Sequence, residues 1–456
     1  MIIEWTSILF VIILLTIALF VIKLIENKMN ISPETKRKML HGTMGIVMLT
    51  FPYIFKSNFS VGLLAIIAIS ILVILKKTKL KESLGTVLYS VNRESLGEIF
   101  FVISVFLIFY LSKGDKILFS IPILILTFAD STAALVGKKY GKKNVAELNE
   151  GAKSIEGSFM FFMVAFMATL VPLLLWTNVG REETLIISTI IGFNVALIEM
   201  ICHTGNDNLF IPLTTYAFLT THINLTVESL RMNLIILVGI FLVVSIVNRV
   251  KSWSKLALVE TMVIGYLTIN LYGIYALIPP LMLFFSTMRF PKIREIEKSN
   301  LYDARIIETN ILVGIAICGF VAITGLKNEF FMIYSLAYSM HLAINTFVRL
   351  KYYFNLSEKD SLILSFSKGL FFIFLPCIII QKIVFNTLPS GTMIIIEIAL
   401  LLTSCLMILL KKKNITKEEI TIKNGYIHMK IVVLLIALIS VFQFVLSNFY
   451  HIKTNM

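Results

Sequence analysis

The chain has 456 residues, 57% of them hydrophobic, and a mean hydropathy of +0.89. So little polar character excludes an ordinary soluble globular domain. The net charge of +14 would suit nucleic acid, but in so apolar a chain basic loops facing anionic head groups account for it, and no nucleic-acid partner is expected.

Apolar stretches long enough to cross a bilayer recur along the sequence. In chain order they fall near 6–24, 39–56, 60–75, 97–112, 117–136, 158–176, 184–201, 209–220, 233–248, 256–274, 277–288, 307–324, 330–347, 361–384, 392–410 and 430–448. The runs are continuous, unlike the alternating pattern of a barrel. The expected fold is all-α, a polytopic integral membrane protein of roughly 13–16 helices. The stretches 209–220 and 277–288 are short, and Pro279 and Pro280 interrupt the second. Two domains are expected, 1–230 and 231–456. Cys202, Cys318, Cys377 and Cys405 show no C-x-x-C spacing and read as packing residues. At the N-terminus the basic residues Lys23 and Lys28 follow the apolar run. That order reads as a retained first span, not a cleavable signal.

With residue 1 outside the membrane, the first inside loop holds Lys28, Lys36, Arg37 and Lys38, and the second Lys76, Lys77, Lys79, Lys81 and Arg93. The intervening outside turns carry only Lys56, then Lys113 and Lys116, then Arg181. The positive-inside rule therefore puts the polar motifs of the first half in the cytosol.

The third inside loop begins "DSTAALVGKKYGKK" at residue 130 and runs on to "GAKSIEGS". Asp130 ends a span, and Gly137, Gly141, Lys138, Lys142, Lys153, Glu156, Gly157 and Ser158 follow. Glycines let main-chain amides approach a phosphate, and lysines supply point charges. As a P-loop the pattern is one residue short and follows a helix, not a strand. On spacing alone the loop serves equally as a topology anchor.

Three further junctions add acids and bases. "KRKMLHG" places Lys38 and His41 at the start of one span, and "NRESLGEIFF" places Arg93, Glu94 and Glu98 at the mouth of another. "EMICHTGNDNLFIP" gives Glu199 inside a span, then Asn206, Asp207 and Asn208. A carboxylate inside the apolar boundary is costly unless paired or used. Carboxylates converging opposite lysines suit a magnesium nucleotide.

These four motifs together resemble the signature of the CTP-dependent lipid-alcohol kinases, a family that includes phytol kinase, dolichol kinase and the fungal CTP-dependent diacylglycerol kinase. The core, A-D-x-x-A-x-x-x-G-x-x-x-G followed by K-x-x-E-G-S, is matched by Asp130, Ala133, Gly137, Gly141, Lys153, Glu156, Gly157 and Ser158. Arg37, Lys38 and His41 match R-K-x-x-H, and Gly97, Glu98 and Phe101 match G-E-x-x-F. Glu199, Asp207, Asn208 and Pro212 complete the set, so the resemblance covers about residues 30–220. It implies phosphoryl transfer from CTP to a lipid alcohol of the phytol, polyprenol or diacylglycerol class. Asp130 and Asp207 would hold Mg²⁺ with Asn208, or one of the two acids would orient the hydroxyl as a base, a choice the sequence leaves open; Glu98 and His41 complete the catalytic set. Nucleotide would be held by Lys38 and the residues of the third loop. Related phosphatidate cytidylyltransferases use the same nucleotide, but their end motif is absent, so that reaction ranks second. A transporter or flippase is the alternative of a different class.

In the second half, residues 283–317 faintly resemble a membrane family that includes the plant phytyl-phosphate kinase, through Phe284, Phe285, Ser286, Asp303, Ala304, Arg305 and Asn310. That family's later A-D-T aligns with Ala343, Asn345 and Thr346, so an asparagine replaces the acid. The second half is therefore expected to be a degenerate, scaffold or lipid-binding bundle.

Overall fold

A computed structural model describes residues 3–28, 33–77, 96–142, 144–146, 153–202, 205–247, 255–288, 327–348, 350–351, 354–386, 394 and 398. These residues are almost wholly helical, and seven of their helices are long and apolar enough to cross a membrane. The protein is an all-α polytopic membrane protein. The expected spans 307–324 and 430–448, and nearly all of 392–410, lie outside the described residues. So do Arg93, Glu94, Asp303, Ala304, Arg305 and Asn310.

The chain divides into two compact units, Met1–Val243 and Val244–Met456. In the first, α1 (Trp5–Lys28), α2 (Pro33–Met48), the short α3 (Phe51–Ile54) and α4 (Asn58–Lys77) come first. The expected span 39–56 is thus broken. The chain leaves α2 at Met48 and restarts at α3, where Pro52, lacking an N–H, fits the first turn. Then come α5 (Gly97–Ser112) and α6 (Lys116–Leu124), whose Asp115 carboxylate accepts from the amides of Ile117 and Leu118. A π turn at Ile125–Ala129 joins α6 to α7 (Asp130–Tyr140). A small antiparallel hairpin, β1 (Asn144–Ala146) with β2 (Lys153–Ser154), leads into α8 (Ile155–Trp176). α9 (Arg181–Ile201), α10 (Asp207–His222) and α11 (Val227–Val247) follow.

The helices sort by how much apolar surface they leave for lipid. α9 is buried along most of its length, whereas α1 and α4 leave most of theirs exposed. α1 instead presents Leu9, Phe10, Ile13, Ile17 and Phe20 outward. Under α1, α3, α4, α5 and α6 lies an apolar cluster with edge-to-face aromatic contacts of Phe109 with Phe51 and Phe119. Several hydroxyls in these helices, Thr169, Ser188 and Thr215 among them, bond the carbonyl one turn back and so do not stand unpaired in an apolar medium.

The second unit includes α12 (Lys255–Tyr272), α13 (Ile278–Met288), the helix Lys327–Val348, and a helical stretch from Glu358 to Phe385 that contains a π turn at Leu370–Phe374. Its packing is set by Tyr334, whose hydroxyl donates to the Ala276 carbonyl at 3.1 Å, and by Ser339, which donates to the Gly369 carbonyl at 2.7 Å. Ala343 is fully buried and Asn345 lies on the same helix, Lys327–Val348.

Candidate active site at one end of the first unit

The polar motifs of the first half meet at one end of the helices. α2 brings Lys38 to Asp130, the first residue of α7, with Nζ 2.5 Å from Oδ2. Both side chains are buried, so each charge depends on the other for its compensation. His41 lies one turn on, its Nε2 3.9 Å from the same carboxylate oxygen and 3.0 Å from the Leu126 carbonyl. Its ring packs edge-on against Phe101 of α5, at 5.0 Å between centroids.

A second pair forms where the hairpin meets α9. Lys153 Nζ lies 2.6 Å from Glu199 Oε1 and also donates to the Glu199 main-chain carbonyl. Burial opposes the charge on Lys153, but Glu199 and then Asp207 outweigh it, and the amine titrates above the usual lysine range. Asp207, in the first turn of α10, is half-buried and accepts from the Asn208 amide at 3.0 Å. It lies within electrostatic reach of His41, Lys153 and Glu199, so it links the two pairs. Among the described residues it forms no ion pair. Asn208 donates its side-chain amide to the Gly97 carbonyl at 2.9 Å, which ties the start of α10 to the start of α5 and to Glu98 in its first turn.

The glycine signature has a packing function in this geometry. Gly137 on α7 and Gly157 on α8 meet at backbone distance, with Ser154 between them. Ser154 caps α8 by accepting from the Gly157 amide at 3.1 Å, worth about 1 kcal/mol for a typical cap. Gly141 closes α7 by donating its amide to the Gly137 carbonyl at 3.0 Å. Glu156 accepts from the Lys142 amide at 3.2 Å and so holds the turn after α7. Lys138 and Lys142 reach solvent from the end of α7. Ser158 lies in the first turn of α8, with no hydrogen-bond partner for its buried hydroxyl among the described residues.

The structure thus brings together Lys38, His41, Asp130, Lys153 and Asp207, and bonds Asn208 to the start of α5, the helix whose first turn carries Glu98. Gly137, Gly141, Gly157 and Glu156 shape the adjoining turn. Sequence reasoning named Glu199 within the fourth motif but gave it no catalytic, binding or metal role. A signal was present, since a carboxylate inside a span needs a counter-charge. It also missed the π turn at Ile125–Ala129, for which no local sequence signal was apparent.

Phytol kinase from Synechocystis sp. is 28% identical to this chain over 190 residues, which is 41% of the chain and 79% of the relative. That likeness supports a distant relationship to the lipid kinases. No family model matches the chain, and no solved structure does.

Proposed function

We propose that the first unit is a CTP-dependent kinase acting on the hydroxyl of a membrane lipid alcohol at the cytosolic face. The observation that carries this reading is the gathering of two lysine–carboxylate pairs and a third carboxylate at one end of the helices. A substrate pathway for transport would instead thread its acids through the bilayer midplane. The likeness to phytol kinase supports a kinase with an isoprenoid or similar long-chain alcohol as acceptor.

Phosphoryl transfer needs positioning and charge stabilisation more than covalent chemistry from the protein. In the proposed mechanism Lys138 and Lys142 draw the triphosphate to the end of α7. The first turns of α5, α8 and α10 lie at this end, so their positive dipole ends favour an anion there. Lys38 and Lys153 lie deeper, each against its carboxylate partner, and neutralise charge on the transferred group. Asp130, fixed by Lys38, orients the acceptor hydroxyl and takes its proton, with Glu98 at the entrance from α5.

The residues also fit a nucleotide-borne Mg²⁺. Among the described residues no three His, Cys, Asp or Glu side chains form a cage. Mg²⁺ on a phosphate needs only one or two carboxylates. Asp207, lacking an ion-pair partner among the described residues, would hold it with the side-chain oxygen of Asn208, and Asp130 would stand within the same cluster. Bound there, the ion would neutralise phosphate oxygens and polarise the transferred phosphorus.

The test is direct. Purified protein in detergent or bilayer discs is given labelled CTP, ATP, GTP and UTP with phytol, geranylgeraniol, a polyprenol and diacylglycerol in turn. The proposal expects a labelled lipid monophosphate with CTP. Transfer of the nucleotidyl group in place of the phosphoryl group, or no product with any pairing, overturns it.

A further inference from the structure

Immediately before Asp130 the helix widens into a π turn over Ile125–Ala129. An i to i+5 bond spans one residue more than the α ladder, so a main-chain carbonyl in such a turn loses its usual amide. Buried in an apolar medium, that carbonyl needs another donor. Side chains meet four successive carbonyls here. Ser131 donates to Thr127 at 2.9 Å, and Thr132 donates to Phe128 at 2.7 Å and to Ala129 at 3.1 Å. The Leu126 carbonyl is met from 85 positions away, by His41 Nε2 at 3.0 Å. A carbonyl can only accept, so Nε2 carries the proton, and the imidazole is a donor at this atom.

The rest of the α2 surface fits the same turn. Lys38, His41 and Gly45 are spaced i, i+3 and i+7, so they share one face of the helix. Lys38 pairs with Asp130, His41 holds Leu126, and Gly45 lies on Thr127 so closely that an added Cβ would fall 2.6 Å from the Thr127 Cγ2. Thr127 is itself fixed by donating to the Ile123 carbonyl at 2.6 Å. Three residues of one helix face therefore clasp the widened turn at three points.

We infer that His41 is a positioning residue: by donating to the Leu126 carbonyl it holds the π turn in the register that points Asp130 at Lys38, and it does not itself exchange a proton in the reaction. The kinetic part of this inference rests on the proposed function; the structural part does not. π turns interrupt α-helices at functional sites because they re-aim the residue that follows, and here that residue is the carboxylate.

Two variants separate the roles. His41→Phe keeps the ring against Phe101 and removes the donor, whereas His41→Gln restores an N–H donor but has no titrating group near neutrality. His41→Phe should lower kcat by about 10- to 100-fold with the nucleotide KM changed by less than about threefold. His41→Gln should recover kcat to within about threefold of the wild type. If His41→Gln is as slow as His41→Phe, the imidazole itself is required and the inference fails.

Hydrogen exchange of the amides at 126–131 gives a readout independent of activity. It should speed up by about tenfold or more in His41→Phe and return to the wild-type rate in His41→Gln. Unchanged exchange in His41→Phe also overturns the inference. A wild-type protein that phosphorylates no alcohol would sink the proposed function, while the exchange comparison would still decide whether His41 holds the turn.

Discussion

Gly137 and Gly157 face each other where α7 meets α8, and a Cβ on Gly157 would lie 3.3 Å from the Gly137 Cα and 3.1 Å from the Ala133 carbonyl oxygen. Two glycines of a loop rich in lysine thus let two helices approach at backbone distance, as small residues do between membrane helices. The consequence is that the end of α7, with Lys138 and Lys142, is held against the start of α8.

Substitution of these glycines should therefore act first on stability. Gly157→Ala should cost about 1–3 kcal/mol, the usual range for overpacking. Gly141→Ala should cost more, because its Cβ would meet the Ser154 Cβ at 2.8 Å and also crowd the Gly137 carbonyl. Thermal unfolding in detergent measures both. The nucleotide KM of the folded Gly157→Ala fraction should change by less than about threefold. A large rise in KM at an unchanged midpoint would mean that phosphate contacts this glycine directly.

The Lys38–Asp130 pair makes a prediction about stability and turnover together. Asp130→Asn should lower kcat by at least about 100-fold, the scale of a positioned acid or base. It should also destabilise, because Lys38 remains buried without its counter-charge, a loss of about 3–5 kcal/mol. Lys38→Met combined with Asp130→Leu should regain much of the stability and none of the turnover. If the double variant regained activity, the pair would be structural only.

The pair of Lys153 with Glu199 is best followed by pH. The folded-state amine titrates above the ordinary lysine value of 10.5, because Glu199 and Asp207 outweigh the cost of burial. A raised folded value means the stabilisation is complete below the unfolded lysine value and is lost as pH rises through the folded one. In Glu199→Gln the larger of the charges opposing burial is gone, and the folded value falls below that of the wild type. The gap in melting temperature between wild type and Glu199→Gln should therefore be largest near pH 7 and narrow as pH rises through the variant's value and then the wild type's. A gap that stays the same from pH 7 to about 11 would show that Lys153 is not the group being stabilised.

Much of this arrangement was legible in the sequence. Continuous apolar runs set the helices, and the four motifs named Lys38, His41, Asp130, Lys153 and Asp207, which do converge. Their partnerships were not legible, because Lys38 and Asp130 are 92 positions apart and no local period links them. The glycine spacing was read as an approach to phosphate, yet Gly137 and Gly157 are used between helices, a choice that depends on which helix lies opposite. The π turn depends on a hydrogen bond from His41, 85 positions away from Leu126, and the α2–α3 break on where Pro52 finds room. Long-range packing decided each of these.

The last prediction concerns which side of the membrane carries the site. The two ends of the first unit differ in chemistry. At one end stand the buried Lys38–Asp130 pair, the pair of half-buried Lys153 with Glu199, and the exposed Lys138 and Lys142. At the start of α1 and α4, Glu4 accepts from the amides of Lys56 and Ser57, and nearby Lys116 lies 4.4 Å from the Tyr53 ring centroid. That set holds a turn together and offers no converging charges. A nucleotide-dependent site must face the cytosol, so Lys142 should be cytosolic and Lys116 external. Both are exposed, and the described native cysteines, Cys202 and Cys377, are buried. In a background with all four native cysteines replaced by alanine, Lys142→Cys should react with a membrane-impermeant maleimide only after the membrane is opened, and Lys116→Cys in intact cells. The reverse pattern would turn the site away from the cytosolic nucleotide pool and remove the basis for CTP as donor.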